Sequence, residues 1–314
     1  MITSGKSKQF LIAAAKLLIV AAAFYFIYYR LTNDDGFSFE MFWKVVSGKF
    51  TFIPIVALIL LSFANRFLEI LKWQNLVSVF RKISIAEASK QVLGALTVSI
   101  FTPGGVGEYG AKALFYDGTK TRKIVFLNLI SNGVQMILSI FFGLFGLLYF
   151  NSAFNIITPE TVGILFILFL AGLAFSFALR KITIKGYSIV TLLIKINAIP
   201  KKIHLKNNLF AVCRYLVFSH QFYLLFRIFE VDIPYFLMMA TIAGVYFLAS
   251  SVPTFQFLDF AVKGSVAVFF FSILGVDEWI PVFVTTMMWI LNVVLPVIIG
   301  SYYVISYKPQ WKNS

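Results

Sequence analysis

The chain has 314 residues, of which 60% are hydrophobic and 13% charged, against roughly 45 to 50% and 25% in soluble domains. With a mean hydropathy of +0.88 it excludes a fold wrapped in a water-facing surface, and the single cysteine, Cys213, excludes a disulfide framework and a Cys-based metal cluster. The net charge of +14 admits three causes, which are nucleic acid, an anionic surface and membrane topology.

A helix needs about 20 apolar residues to cross the hydrocarbon of a bilayer. The first such stretch runs from Phe10 to Tyr29 behind Lys6 and Lys8, and it ends in Tyr28, Tyr29 and Arg30 rather than a small-residue cleavage site, which predicts a retained span and not a signal peptide. A second span covers Phe50 to Leu71. Residues 85 to 116 are apolar but interrupted by Pro103, Gly104, Gly105 and Gly107. The third and fourth spans are Ile124 to Phe150 and Val162 to Leu179. Residues 180 to 208 are basic and partly amphipathic, with Ile189, Leu192, Leu193 and Ile196 set against Lys185, Lys195, Lys201 and Lys202. That segment is expected on the inner surface, as an ordinary positive-inside loop or docked on acidic lipids. A fifth span runs from Leu209 to Phe229, a second interrupted stretch over 234 to 274 breaks at Pro253, and a last span covers Ile280 to Ile305. The predicted fold is an all-α polytopic membrane protein, one domain over residues 1 to 314, with about six full crossings plus two broken or re-entrant helical hairpins.

Cytoplasmic loops carry the excess of Lys and Arg. On this map the inner loops hold Lys6 and Lys8; Arg81, Lys82 and Lys90; Lys120, Arg122 and Lys123; the bases of the 180 to 208 segment; and Lys308 and Lys312. The outer loops hold Asp34, Asp35, Glu40, Glu160, Glu230, Asp232, Asp277 and Glu278, with Arg30, Lys44 and Lys49 as their bases. Both termini are therefore expected in the cytoplasm, the location is an inner cell membrane, and the charge needs no nucleic acid. Trp73 and Trp311 fall near the inner boundary and Trp43 and Trp279 near the outer one.

The two interrupted stretches share a layout. Ser84 to Pro103 and Pro234 to Pro253 have equal spacing, and each break is followed by an acid with a base four residues on, Glu108 with Lys112 and Asp259 with Lys263. Three crossings separate them, so two re-entrant stretches would enter from opposite faces as an inverted repeat, with halves at about 50 to 150 and 207 to 306. Non-helical backbone survives in a bilayer only beside protein or a wet cavity. The breaks thus predict a cavity, with glycine amides open to a ligand and a helix N-terminus near Glu108 suited to phosphate. Gly105 to Gly110 matches the dinucleotide pattern GxGxxG, but no strand precedes it, so that reading fails.

Ionisable residues inside spans cost about 2.5 to 3.5 kcal/mol each at a helix centre and mark polar cavities. Arg66, Glu69 and Lys72 follow Asn65 on one face of the second span; Arg214, His220, Gln221 and Arg227 dot the fifth; Asn128, Asn132 and Gln135 stripe the third. Lys16, Lys72 and Arg227 are expected to snorkel to an interface. The pairs Glu108 with Lys112 and Asp259 with Lys263 are gate residues or plain structural i,i+4 pairs. His204 reads as a loop residue, His220 as a packing polar group and Cys213 as a buried filler. No HExxH, Walker lysine loop, nucleophile elbow or Cys-His set is present, which predicts no enzyme, no cofactor and no metal, and leaves an ion or substrate gradient to drive any transport.

Thr102-Pro-Gly-Gly-Val-Gly-Glu108, Arg66-Phe-Leu-Glu-Ile-Leu-Lys-Trp73 and the break from Pro253 to Asp259 resemble the flippase-like transmembrane domain of lysylphosphatidylglycerol synthases, over nearly the whole chain. The second break departs from that pattern, with Thr254, Phe255, Gln256 and Phe257 where glycines are expected before Asp259. The resemblance implies a free-standing member without the soluble synthase domain, since the last span ends close to Ser314. It implies movement of a phospholipid or lipid-linked headgroup between leaflets, with Arg66 and Arg214 attracting phosphate, Glu69 beside them, Pro103, Gly104, Gly105 and Gly107 shaping the inner break, Glu108 and Lys112 at the inner gate, and Asp259 and Lys263 at the outer gate. The rival expectations are a transporter of small polar solutes or ions, and a non-transporting membrane partner of an envelope enzyme.

Overall fold

A computed structural model describes residues 48, 51–183, 188–252, 255 and 258–307. The expected first span from Phe10 to Tyr29, Lys16, Trp43, Trp311, the termini, Lys185, and Pro253, Thr254, Gln256 and Phe257 lie outside the described residues. Among those described, every regular element is helical: α1 (Phe52–Val77), α2 (Ile85–Ser99), α3 (Gly107–Ala113), α4 (Thr121–Phe154), α5 (Pro159–Ala178), α6 (Ile189–Asn197), α7 (Lys201–Ile228), α8 (Tyr235–Ser251), α9 (Asp259–Ile273), α10 (Trp279–Trp289) and α11 (Leu295–Ser306), with 3-10 turns before α4 and after α5.

Local chemistry sets these boundaries. Ser84 caps α2 by accepting from the Glu87 backbone N–H at 3.1 Å, and Ser188 caps α6 by accepting from that of Thr191 at 3.1 Å. Pro200 and Pro234 stand just before α7 and α8, where a missing N–H costs nothing. Asn155 ends α4 in the left-handed region, at φ 49°.

Four helical stretches are long and apolar enough to cross a membrane: Phe52–Val77, Gly118–Phe154, Lys201–Ile228 and Trp279–Ser306. They coincide with the expected second, third, fifth and last spans, and the fourth coincides with the 20-residue α5. Their outward faces carry exposed Phe52, Ile137, Phe145 and Tyr302; a continuous apolar exterior is what lipid solvates and water does not. The last stretch is not one regular helix. Residues Ile290–Val294 form a π turn between α10 and α11, and the cause is Pro296, which has no N–H to give and whose ring crowds the carbonyl one turn back.

The helices pair across the chain. α1 lies on α7, α4 on α8, and α2 on α11, while α2 also packs on α3 and α8 on α9. Glycines permit two of these approaches. A Cβ at Gly146 would overlap the Ala240 carbonyl oxygen, and one at Gly300 would overlap the Leu93 carbonyl oxygen and Thr97 Oγ1. A cluster of buried side chains from α2, α9 and the last span, including Leu96, Ile100, Phe260, Trp289 and Val297, bridges the two interrupted segments.

Several single-residue expectations are corrected. Trp73 is fully buried among protein groups rather than presented to lipid headgroups: its Nε1–H donates to Gln91 Oε1 at 2.7 Å and the Lys112 ammonium lies 4.3 Å over its ring. Lys72 does not snorkel; it is buried against Glu69 at 3.1 Å. His204 sits on α7, its Nε2 2.9 Å from the Ile196 carbonyl oxygen, and Cys213 is only half-buried. Arg227, by contrast, is exposed and reaches Asp232 in the loop after α7 at 3.2 Å, in keeping with the snorkelling expected of it.

Candidate functional site

The first break runs from Thr102 to Val106, with Gly104 at φ 57° and Gly105 at φ 70°, a conformation that side-chain-bearing residues rarely adopt. Its Pro103 forms an isolated antiparallel bridge with Phe255, in the second break. The two interruptions, some 150 residues apart in the chain, therefore touch. Beside this contact is a cavity of about 540 Å³.

Eight of the eleven residues singled out from the sequence line this cavity: Arg66, Glu69, Gly104, Gly105, Glu108, Arg214, Asp259 and Lys263. Three do not. Pro103 makes the bridge. Gly107 packs against Thr102, where a Cβ would press on the threonine methyl. Lys112 is fully buried behind the wall, held by Glu108 at 2.5 Å, Asn128 Oδ1 at 2.8 Å and the Trp73 ring.

Of the glycine amides expected to be open, those of Gly105 and Gly107 are taken. The Gly105 N–H donates to the Thr102 carbonyl at 3.1 Å, that of Val106 to Pro103 at 3.2 Å, that of Gly107 to Thr102 Oγ1 at 2.8 Å, and that of Glu108 to Gly105 at 3.0 Å. Tight turns satisfy their own donors, and α3, at seven residues, is too short to present a free N-terminal turn. The charged and polar lining consequently comes mainly from side chains.

Those side chains form a directed network. Glu69 accepts from Lys72 at 3.1 Å, Arg214 Nη1 at 2.8 Å and Ser131 at 3.5 Å. Arg214 Nε donates to Asn65 Oδ1 at 3.0 Å, Asn65 to Asn292 Oδ1 at 2.7 Å, Asn292 to Gln221 Oε1 at 2.9 Å, and Gln221 to the Leu58 carbonyl at 3.0 Å. Every buried side-chain group in this run from Glu69 to Gln221 is satisfied, as burial demands. The π turn supplies two more acceptors. The carbonyl of Asn292, four residues before Pro296, takes Arg66 Nη2 at 2.6 Å, and that of Leu291 takes Ser62 Oγ at 2.5 Å.

Charge is unevenly shared. Glu69 is held by Lys72 and Arg214, Glu108 by Lys112, and Asp259 by Lys263, whose ammonium also lies 5.4 Å from the Tyr246 ring centroid. Arg66 has no carboxylate partner among the described residues, and its Nε is buried with no hydrogen bond. Its Nη2 donates to the Asn292 carbonyl, so among the described cations lining the cavity it is the one not paired with an acid.

Asn292 was not singled out from the sequence, although it ties α1 to α7 and the last span. A lone amide in an apolar run is a weak signal; the usable clue was its position four residues ahead of Pro296. Tyr109, which accepts from Asn132 Nδ2 at 3.3 Å, was also missed. No protein-family model matches the chain, and no curated protein matches it either.

Proposed function

We propose that the protein carries a phospholipid or lipid-linked headgroup between leaflets, through the cavity where its two interrupted segments meet. One observation carries the reading: a cavity of about 540 Å³ with charged residues in its lining, inside an apolar helical bundle beside the Pro103 to Phe255 bridge, and lined by an arginine with no acid of its own. A half-buried guanidinium that pairs with no carboxylate is stabilised when an anion arrives to meet it, and the phosphate of a headgroup is such an anion.

The same reading takes the chain as an inverted repeat with about six crossings and cytoplasmic termini in an inner membrane. Support comes from matched positions. Ser84 and Pro234 precede α2 and α8, Gly94 and Gly244 face Tyr303 and Leu147 on the long helices of the opposite halves, and Glu108 and Asp259 open the helices after the breaks. The helix pairs α4 on α8 and α11 on α2 exchange under such a two-fold, and α1 on α7 maps onto itself. Halves built this way meet near mid-membrane and rock about the shared site. The resemblance to the flippase-like domain of lysylphosphatidylglycerol synthases points the same way, as does the absence of a sequence motif for covalent or metal chemistry.

Vesicles reconstituted with the purified protein and labelled phospholipids test it. Leaflet exchange above that of protein-free vesicles is expected, falling about tenfold or more in Arg66→Gln, since a charged hydrogen bond to phosphate is worth roughly 1.5 to 3 kcal/mol. Exchange equal to protein-free vesicles for anionic and zwitterionic lipids alike removes the proposal.

A further inference from the structure

A second, smaller chamber opens off the main cavity. It measures about 40 Å³ and shares Phe218, Asp259, Lys263 and Asn292 with the larger space. Two of its lining residues are Tyr246, 6% exposed, and Trp289, 3% exposed, and neither the Tyr246 hydroxyl nor the Trp289 Nε1–H has a hydrogen-bond partner among the described residues. Two orphaned buried donors around one void are rare in a folded protein, and they mark where a polar atom belongs.

We propose that this chamber receives a hydroxyl group of the cargo, so that the headgroup carried is a hydroxylated phosphate ester, a polyol or sugar phosphate, and not an amine-bearing one. The inference rests on the transport reading only for the cargo's route to the site. Size is the first argument: about 40 Å³ exceeds the roughly 10 to 15 Å³ that a cavity needs to hold one water, and so admits a small group such as a hydroxymethyl. Chemistry is the second. Indole N–H is a donor only and a phenol donates or accepts, so a hydroxyl oxygen, with two lone pairs, accepts from both the Trp289 Nε1–H and the Tyr246 O–H while its own O–H donates to the Asp259 carboxylate shared with the main cavity. The rings of Phe222 and Phe260 supply the flat apolar walls on which the C–H face of a polyol packs. Charge is the third. All three carboxylates of the cavity are already engaged by internal cations, leaving none for a substrate ammonium, whereas Arg66 remains for the phosphate.

The test is equilibrium binding to the purified full chain in detergent, by calorimetry, with short-chain phosphatidylglycerol and phosphatidylmethanol, which carry the same phosphate charge and differ in the two hydroxyls. Phosphatidylglycerol is expected to bind about three- to tenfold tighter, the worth of one or two neutral hydrogen bonds, with phosphatidylethanolamine weaker than either. Tyr246→Phe and Trp289→Phe each lower that ratio toward one while leaving phosphatidylmethanol affinity in place, which also reports an intact fold. Equal affinity of the wild-type protein for phosphatidylglycerol and phosphatidylmethanol overturns the proposal and leaves the chamber to water; so does binding of none of these lipids. That comparison decides alone if the variants do not fold. Selective binding without leaflet exchange keeps the hydroxyl pocket and sinks the transport reading. Soluble glycerol 3-phosphate competing as well as the lipid keeps the pocket and makes the cargo a water-soluble ester.

Discussion

Glu69 is 4% exposed and survives as a carboxylate because Lys72, Arg214 and Ser131 all turn a donor toward it. Removing one partner of such a buried pair leaves a charge that solvent cannot reach, at a cost of about 3 to 5 kcal/mol. Arg214→Leu is therefore expected to lower stability by that order in denaturant unfolding in detergent, and the double variant Glu69→Gln with Arg214→Leu to cost clearly less than the two singles summed. Additive losses would mean that the contact carries no coupling energy. Ionisable residues in apolar spans are conspicuous, so Arg66, Glu69, Arg214 and both acid-base pairs were legible from the chain alone. Asn292 was not, because a neutral amide barely disturbs the hydropathy and its partners Asn65 and Gln221 come from distant helices.

At the scale of helices, close approach depends on what a glycine lacks. Gly300 on α11 sits against the backbone of α2, so a side chain there forces the two apart, whereas a Cβ at Gly94 meets Tyr303 and Phe115 only at ordinary distances of 3.7 and 3.8 Å. Gly300→Val is expected to lose about 1 to 3 kcal/mol from overpacking, read as a lower thermal midpoint in detergent. Gly94→Ala is expected to be close to neutral, and equal effects of the two would show that α2 and α11 do not touch as described. The interruptions themselves were visible in Pro103 and the glycines after it. The π turn was not, since Pro296 alone predicts a disturbed helix without saying which carbonyls it frees or that Arg66 and Ser62 collect them.

Over the whole molecule, the bridge between Pro103 and Phe255 joins the two interrupted segments directly, and any rocking of one half against the other must break or shear it. Residues paired across an antiparallel bridge have Cα atoms about 4.5 to 5.5 Å apart, within the range that a disulfide spans. In a Cys213→Ser background, Pro103→Cys with Phe255→Cys is expected to cross-link on oxidation, halt leaflet exchange in vesicles, and recover it on reduction. Undiminished exchange with the cross-link formed would mean that the breaks do not move apart during transport.

Hydropathy, loop charge and the positions of proline and glycine determined from the sequence alone that this is an all-helical membrane protein with two interrupted segments, because lipid demands apolar length and internally bonded backbone whatever the partners are. Only the tertiary structure decided that the breaks meet, that the Gly105 and Gly107 amides of the first are consumed in its own turns, that Lys112 stands behind the wall while Arg66 is left without an acid, and that Tyr246 and Trp289 line one small void. Those outcomes depend on which side chains from remote helices compete for the same few donors and acceptors, and that competition exists only once the helices are packed.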